Sequence, residues 1–165
     1  MVHAVRQGRV GRGSSVCVLG AGTIGLLVLQ VARASGAGQV LITAKRSHRL
    51  KLRAQGADGI ILTDADLQAE VAQCTGGEGV DCVIETVGGN APTPQLAMGV
   101  ARKRGCIVIV GAFVAPQPFD FRTLVMKELE VVGSHTYDCG PDMRRDFEVS
   151  LGLVASGRVK LDRFT

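Results

Sequence analysis

The chain has 165 residues, 46% hydrophobic and 21% charged, with a formal net charge of +4. This fits one domain of about 100–200 residues with a core of its own and excludes a disordered tail. One tyrosine, no tryptophan and dispersed basic residues exclude a base-stacking nucleic-acid binder, and no apolar run is long and unbroken enough to predict a membrane span.

In chain order, His3 to Arg9 reads as a short helix, and Val10-Gly-Arg-Gly-Ser-Ser15 as a polar connection. Val16 to Leu19 is the first predicted strand. A helix follows from Thr23 to about Ser35, closed by Gly36-Ala-Gly38, and Gln39 to Thr43 is the second strand. Ser47 to Gln55 suits a helix ending at Gly56. Ile60 to Leu62 is a strand, Asp64 to Cys74 a helix, and Val80 to Glu85 the fourth strand. The pattern repeats: a helix from about Pro94 to Arg102, a strand from Cys106 to Val110, and a proline-interrupted loop from Gly111 to Asp120. Leu129 to Val132 is a sixth strand, and Asp142 to Ser156 a last amphipathic helix ending at Gly157.

Strands apolar on both faces, alternating with helices, predict an α/β fold: a doubly wound, parallel, six-stranded sheet. The turn after the first strand, Gly20-Ala-Gly-Thr-Ile-Gly25, carries glycines at the spacing of the dinucleotide fingerprint. Gly20 suits a tight turn, Gly22 lets a pyrophosphate approach the backbone, and Gly25 lets helix and strand pack closely. The N–H groups near Thr23 and Ile24 then face the phosphates. The Rossmann strand order 3-2-1-4-5-6 follows, with the ligand crevice at the carboxyl ends of the first and fourth strands.

The end of the second strand bears on the cofactor. An acidic residue there holds the ribose hydroxyls of NAD, but Ala44 occupies the place, followed by Lys45-Arg46-Ser47-His48-Arg49. Cations at a helix start are unfavourable by ~0.3–1 kcal/mol each unless an anion is present. Arg46, assisted by Lys45 and Ser47, is therefore expected to hold the 2′-phosphate of NADP, with NAD the alternative. The five scattered cysteines form no Cys-x-x-Cys pair and read as core residues in a reducing, cytoplasmic compartment. The start Met1-Val-His-Ala-Val-Arg6, which lacks a signal-peptide core, gives the same expectation.

Val16-Cys-Val-Leu-Gly-Ala-Gly-Thr-Ile-Gly-Leu-Leu27, Gly56-Ala-Asp58, Val80-Asp-Cys-Val-Ile-Glu-Thr-Val-Gly88 and Lys127-Glu-Leu-Glu-Val-Val-Gly-Ser134 together resemble the coenzyme domain of medium-chain, zinc-type alcohol dehydrogenases. The likeness covers nearly the whole chain and is greatest to the polyol, butanediol and threonine dehydrogenase branch. It implies that Thr23 and Ile24 meet the pyrophosphate and that Thr86 and Val87 border the adenosine side. It also implies that Gly111, Ala112, Phe113, Ser134 and His135 lie beside the nicotinamide. Glu85 is either a polar contact or a group that orders its loop.

The resemblance implies hydride transfer to or from an alcohol in an NAD(P)-dependent oxidoreductase whose zinc sits in a separate catalytic domain. His3, His48 and His135 are the only histidines, and none stands with cysteines or carboxylates at ligand spacing, so no metal and no catalytic residue is assigned to this chain. Residues 1–165 are then expected to be the dinucleotide-binding domain, with the catalytic domain absent and the isolated chain inactive. The family also implies a homodimer through the edge of the sixth strand. A stand-alone nucleotide-sensing regulatory module is the alternative of a different class. A methyltransferase is disfavoured, because it needs an acid where Ala44 stands.

Overall fold

A computed structural model describes residues 1–45, 55–136 and 143–161. The described helices are α1 (Val2–Gln7), α2 (Thr23–Ala34), α3 (Leu67–Thr75), α4 (Thr93–Val100), α5 (Phe121–Lys127) and α6 (Met143–Ala155). The strands are β1 (Ser15–Leu19), β2 (Gln39–Ala44), β3 (Gly59–Leu62), β4 (Val80–Glu85), β5 (Ala101–Ile109) and β6 (Glu130–Gly133). The helix expected from Ser47 lies outside the described residues as far as position 54, as does the expected start of the last helix at Asp142.

All the strands run parallel in one sheet of order β3-β2-β1-β4-β5-β6, as the alternation of strands and helices predicts. Each strand sends alternate side chains to two cores, because successive residues point to opposite faces. Val16, Val18, Ile42, Ile84 and Val108 pack on one face with Val28 and Leu29 of α2 and Ala4 and Val5 of α1. Cys17, Leu19, Leu41, Val83 and Ile107 pack on the other with Leu67 and Val71 of α3 and Ala97 and Met98 of α4. At the periphery of the first face, Asp146 of α6 is held by Nη1 and Nη2 of Arg6, at 3.1 and 3.2 Å, and lies 3.6 Å from His3 Nδ1.

Two expectations are corrected. The helix before β5 ends at Val100, not Arg102, and the strand starts at Ala101, well before Cys106. Lys127 Nζ explains the early stop: it donates to the carbonyls of Met98, Gly99 and Ala101 at 2.8–3.0 Å and closes the end of α4. The second correction is α5, which the sequence reading passed over. Asp120 caps it, its Oδ1 accepting from the N–H groups of Arg122 and Thr123 at 3.0 and 3.1 Å.

Candidate functional site

The turn between β1 and α2 assigns each glycine its own task. Gly20 has φ +104, and a Cβ there would lie 2.9 Å from Val87 Cγ2, so both conformation and space demand glycine. Gly25 is buried, and any Cβ on it would run into the carbonyl oxygen of Gly20. Gly22 is the opposite case: a Cβ would meet nothing within 4 Å. It is the N-cap of α2 and offers no side-chain hydrogen bond, and the first turn has no acidic residue. The leading N–H groups of α2, at exposed Thr23 and Ile24, therefore head a helix whose positive end is unneutralised by its own side chains.

In front of this turn lies a cleft of about 870 Å³ at the carboxyl ends of β1, β2, β3 and β4. Of the predicted residues, Gly20, Gly22, Lys45, Thr86 and Val87 line it. Two hydrogen bonds fix its back wall: Gly20 N–H donates to Thr43 Oγ1 at 2.8 Å, and Thr86 Oγ1 donates to the Leu19 carbonyl at 2.8 Å. Ala44 is buried and Lys45 exposed at the end of β2. Arg46 and Ser47 lie outside the described residues. Leu62, Leu67 and Leu96 give the far wall aliphatic character, and Asp66 also lines the cleft. That aspartate was not foreseen. Its Oδ1 accepts from the N–H groups of Gln68 and Ala69 at 3.0 and 3.1 Å, so it is the N-cap of α3. An aspartate directly before Leu67-Gln-Ala-Glu70 is a legible capping signal.

Gly111, Ala112, Phe113, Ser134 and His135 do not line this cleft; they follow β5 and β6 along the same edge of the sheet. Ser134 is buried, and its N–H donates to the Ile109 carbonyl at 2.8 Å. His135 is exposed, with its ring within hydrogen-bond distance of Thr136 Oγ1. The loops after β4 and β5 are joined: Gly89 bridges to Phe113, and Gly89 N–H donates to the Ala112 carbonyl at 2.8 Å.

Glu85 organises that junction and is fully buried. Its Oε1 accepts from Val87 N–H at 2.8 Å, Gly88 N–H at 3.0 Å and the Thr93 hydroxyl at 2.7 Å, while Oε2 accepts from Gly111 N–H at 3.2 Å. Of the two roles open to it in the sequence, ordering the loops is the one these contacts describe. One carboxylate thus ties the ends of β4 and β5 to the head of α4.

The family model for zinc-binding dehydrogenases matches residues 23–156. The chain belongs to the zinc-binding dehydrogenase family. It corresponds to the coenzyme-binding part of the medium-chain, zinc-type alcohol dehydrogenases. It is 36% identical over 163 residues to 2-dehydro-3-deoxy-L-galactonate 5-dehydrogenase of Pseudoalteromonas atlantica, covering 98% of this chain and 46% of that protein. It is 33% identical to sorbitol dehydrogenase of Halalkalibacterium halodurans, covering 95% of this chain and 45% of the relative. Among solved structures, alcohol dehydrogenase TADH from Thermus sp. ATN1 superposes with a TM-score of 0.84 at 32% identity, over 95% of this chain and 44% of that one. A zinc-binding dehydrogenase target from Sinorhizobium meliloti 1021, solved bound to NADP, gives 0.83 at 29% identity, over 98% and 47%. The chain therefore spans about half the length of the relatives it matches.

Proposed function

We propose that this chain is the coenzyme-binding half of an alcohol or polyol dehydrogenase and that it takes NADP(H) in preference to NAD(H). The carrying observation is the open backbone at Gly22, set at the uncapped head of a 12-residue helix and facing the cleft. These features fit a pyrophosphate, which needs close backbone approach and free N–H donors. Thr86 and Val87, with the leucines of the far wall, suit the adenosine portion. The Glu85-ordered segment from Gly111 to Phe113, with Ser134 and His135, suits the nicotinamide portion.

Two features support the 2′-phosphate. Ala44 stands where a ribose-binding acid is needed, and Lys45 is exposed on the cleft wall. Arg46 and Ser47 continue the sequence at that point, and the NADP-bound relative from Sinorhizobium meliloti is consistent with the choice.

A bound nicotinamide dinucleotide supplies the hydride acceptor or donor. The work of this chain is to bind and orient it: α2 holds the phosphates, and the loops after β4, β5 and β6 fix which face of the ring is presented. The described residues do not fit a zinc site, since no three of His, Cys, Asp and Glu come together among them. Substrate polarisation is assigned to a separate catalytic domain, and the chain alone is expected to turn over no alcohol. β6 pairs on one side only among the described strands, which supports a homodimer through its other edge. The free thiols of Cys17, Cys74, Cys82 and Cys106 are consistent with a cytoplasmic setting.

The test is a side-by-side titration of the chain with NADPH and NADH, repeated for Lys45→Ala and Arg46→Ala. A charge-assisted phosphate contact is worth about 1.5–3 kcal/mol, or roughly 10-fold to 150-fold in affinity. A preference of that size for NADPH, lost in the Arg46 variant, is the expected result. Equal binding of the two overturns the phosphate clamp, and binding of neither overturns the cofactor role of the isolated chain.

A further inference from the structure

The amino end of the sheet carries a second cavity of about 410 Å³, on the side opposite the cofactor cleft. Its lining carries Arg9 and Arg12 from the α1–β1 connection and Arg102 and Arg104 from β5, together with Asp81, which pairs with Arg102 at 2.6 Å. The β5 pair is there because the β4–β5 ladder breaks register. Val80 pairs with Ala101 but Cys82 with Cys106, so the residues between Ala101 and Cys106 bulge out of the ladder. Arg104 takes φ +61 within that bulge. Cys106 lines the cavity.

Cys106 has a partner thiol. Cys82 stands opposite it in the β4–β5 register, and both side chains enter the same core face. Neighbouring strands lie about 4.8 Å apart, inside the Cα separation of about 4.4–6.8 Å that a disulfide spans. The neighbouring Cys82 thiol holds the Cys106 thiol below its ordinary range; burial and Glu130 oppose this, and Arg9 adds to it. Cys106 and burial together push Cys82 up. Of the two sulfurs Cys106 is the more readily ionised and Cys82 the less. When protonated, Cys106 has the Gln7 carbonyl as its acceptor at 3.8 Å.

We propose that Cys106 and Cys82 form a redox-sensitive dithiol, oxidised to a disulfide by a small hydroperoxide that enters through the arginine-rimmed cavity. The Cys106 sulfur attacks the distal peroxide oxygen; the S–O bond forms, the O–O bond breaks, and the remaining oxygen leaves as water or an alcohol after taking a proton. Cys106 is then a sulfenic acid and the peroxide has been reduced. The Cys82 sulfur attacks the sulfenic sulfur, the S–S bond forms, and the hydroxyl leaves with the Cys82 proton as water. Arg9, paired with Glu130 at 2.7 Å, and Arg104 stand on the rim of that cavity. Fully buried Cys17 and exposed Cys74, which lie outside this cavity, serve as internal references.

The experiment is oxidation of the folded chain with limiting hydrogen peroxide, followed by native alkylation, intact mass and peptide mapping. The expected result is the loss of two hydrogens, reversed by dithiothreitol and mapped to a Cys82–Cys106 link. In Cys82→Ala, dimedone is expected to trap a sulfenic acid at Cys106, and Arg9→Ala is expected to slow Cys106 oxidation but not that of Cys74. Oxidation of Cys74 with Cys106 still a free thiol overturns the proposal, as does irreversible oxidation of Cys106 without the link. If the Cys82 variant does not fold, the mapping of the unsubstituted chain decides alone.

Discussion

The two ends of the sheet spend their polar groups differently. At the amino end, charges are matched to one another. Asp81 receives Ser15 N–H at 2.7 Å, Ser15 Oγ at 2.8 Å and Arg102 Nε at 2.6 Å. Asp58 takes Arg33 and, at 2.7 Å, Val40 N–H, and Arg9 meets Glu130 at 2.7 Å. At the carboxyl end the walls of the cleft are mainly backbone, small residues and leucines, and α2 begins at Gly22 without a side-chain cap. Groups already satisfied fasten strands together, whereas the open donors of α2 are the ones the proposed dinucleotide takes.

The sharpest break of this contrast is within one turn. Gly25→Val sets a side chain against the Gly20 carbonyl and is expected to cost about 3 kcal/mol or more, read by denaturant unfolding. Glu85→Ala comes next. It strands the N–H donors of Val87 and Gly88 and the Thr93 hydroxyl, while Gly111 N–H keeps the Glu85 carbonyl at 3.2 Å, so a loss of about 2–3 kcal/mol is expected, together with weaker dinucleotide binding by calorimetry. Gly22→Ala separates the two functions. Its added methyl meets no protein atom, so stability should stay within about 1 kcal/mol, while affinity for the dinucleotide falls by about tenfold or more because the methyl takes the space of the approaching phosphate.

The smallest effect is expected at the amino end, for Asp81→Asn, at about 1 kcal/mol near neutral pH, since the pair is partly exposed. Burial alone would raise the Asp81 carboxyl, but the Ser15 amide and hydroxyl and the Arg102 guanidinium outweigh it and hold it below its ordinary range. A carboxyl depressed on folding stabilises the protein above its unfolded pKa, near 4, and loses that contribution as pH falls through the depressed folded value. Unfolding curves of the two proteins should therefore differ at pH 7 and converge in strong acid. A constant difference across that range would count against the assigned contacts.

Much of the architecture was legible because it is written in local pattern. Val16 to Leu19 is apolar at every position, which only a strand covered on both faces requires, and the glycine spacing after it marks the turn. The helix after Asp120 was equally legible through its cap but was hidden by the proline-rich loop before it. The fingerprint also separated an open glycine from a packed one, and the structure gives each a contact that explains it: open space at Gly22, the Gly20 carbonyl at Gly25.

Strand order and family could be read along the chain, since periodicity and turn chemistry act over a few residues. Folding brings Asp66 to the cleft, joins Glu85 to Val87, Thr93 and Gly111, and sets Cys82 opposite Cys106 below the cavity lined by Asp81 and four arginines. These are meetings of residues far apart in the chain. They depend on strand register and on one bulge, which no spacing along a single segment encodes.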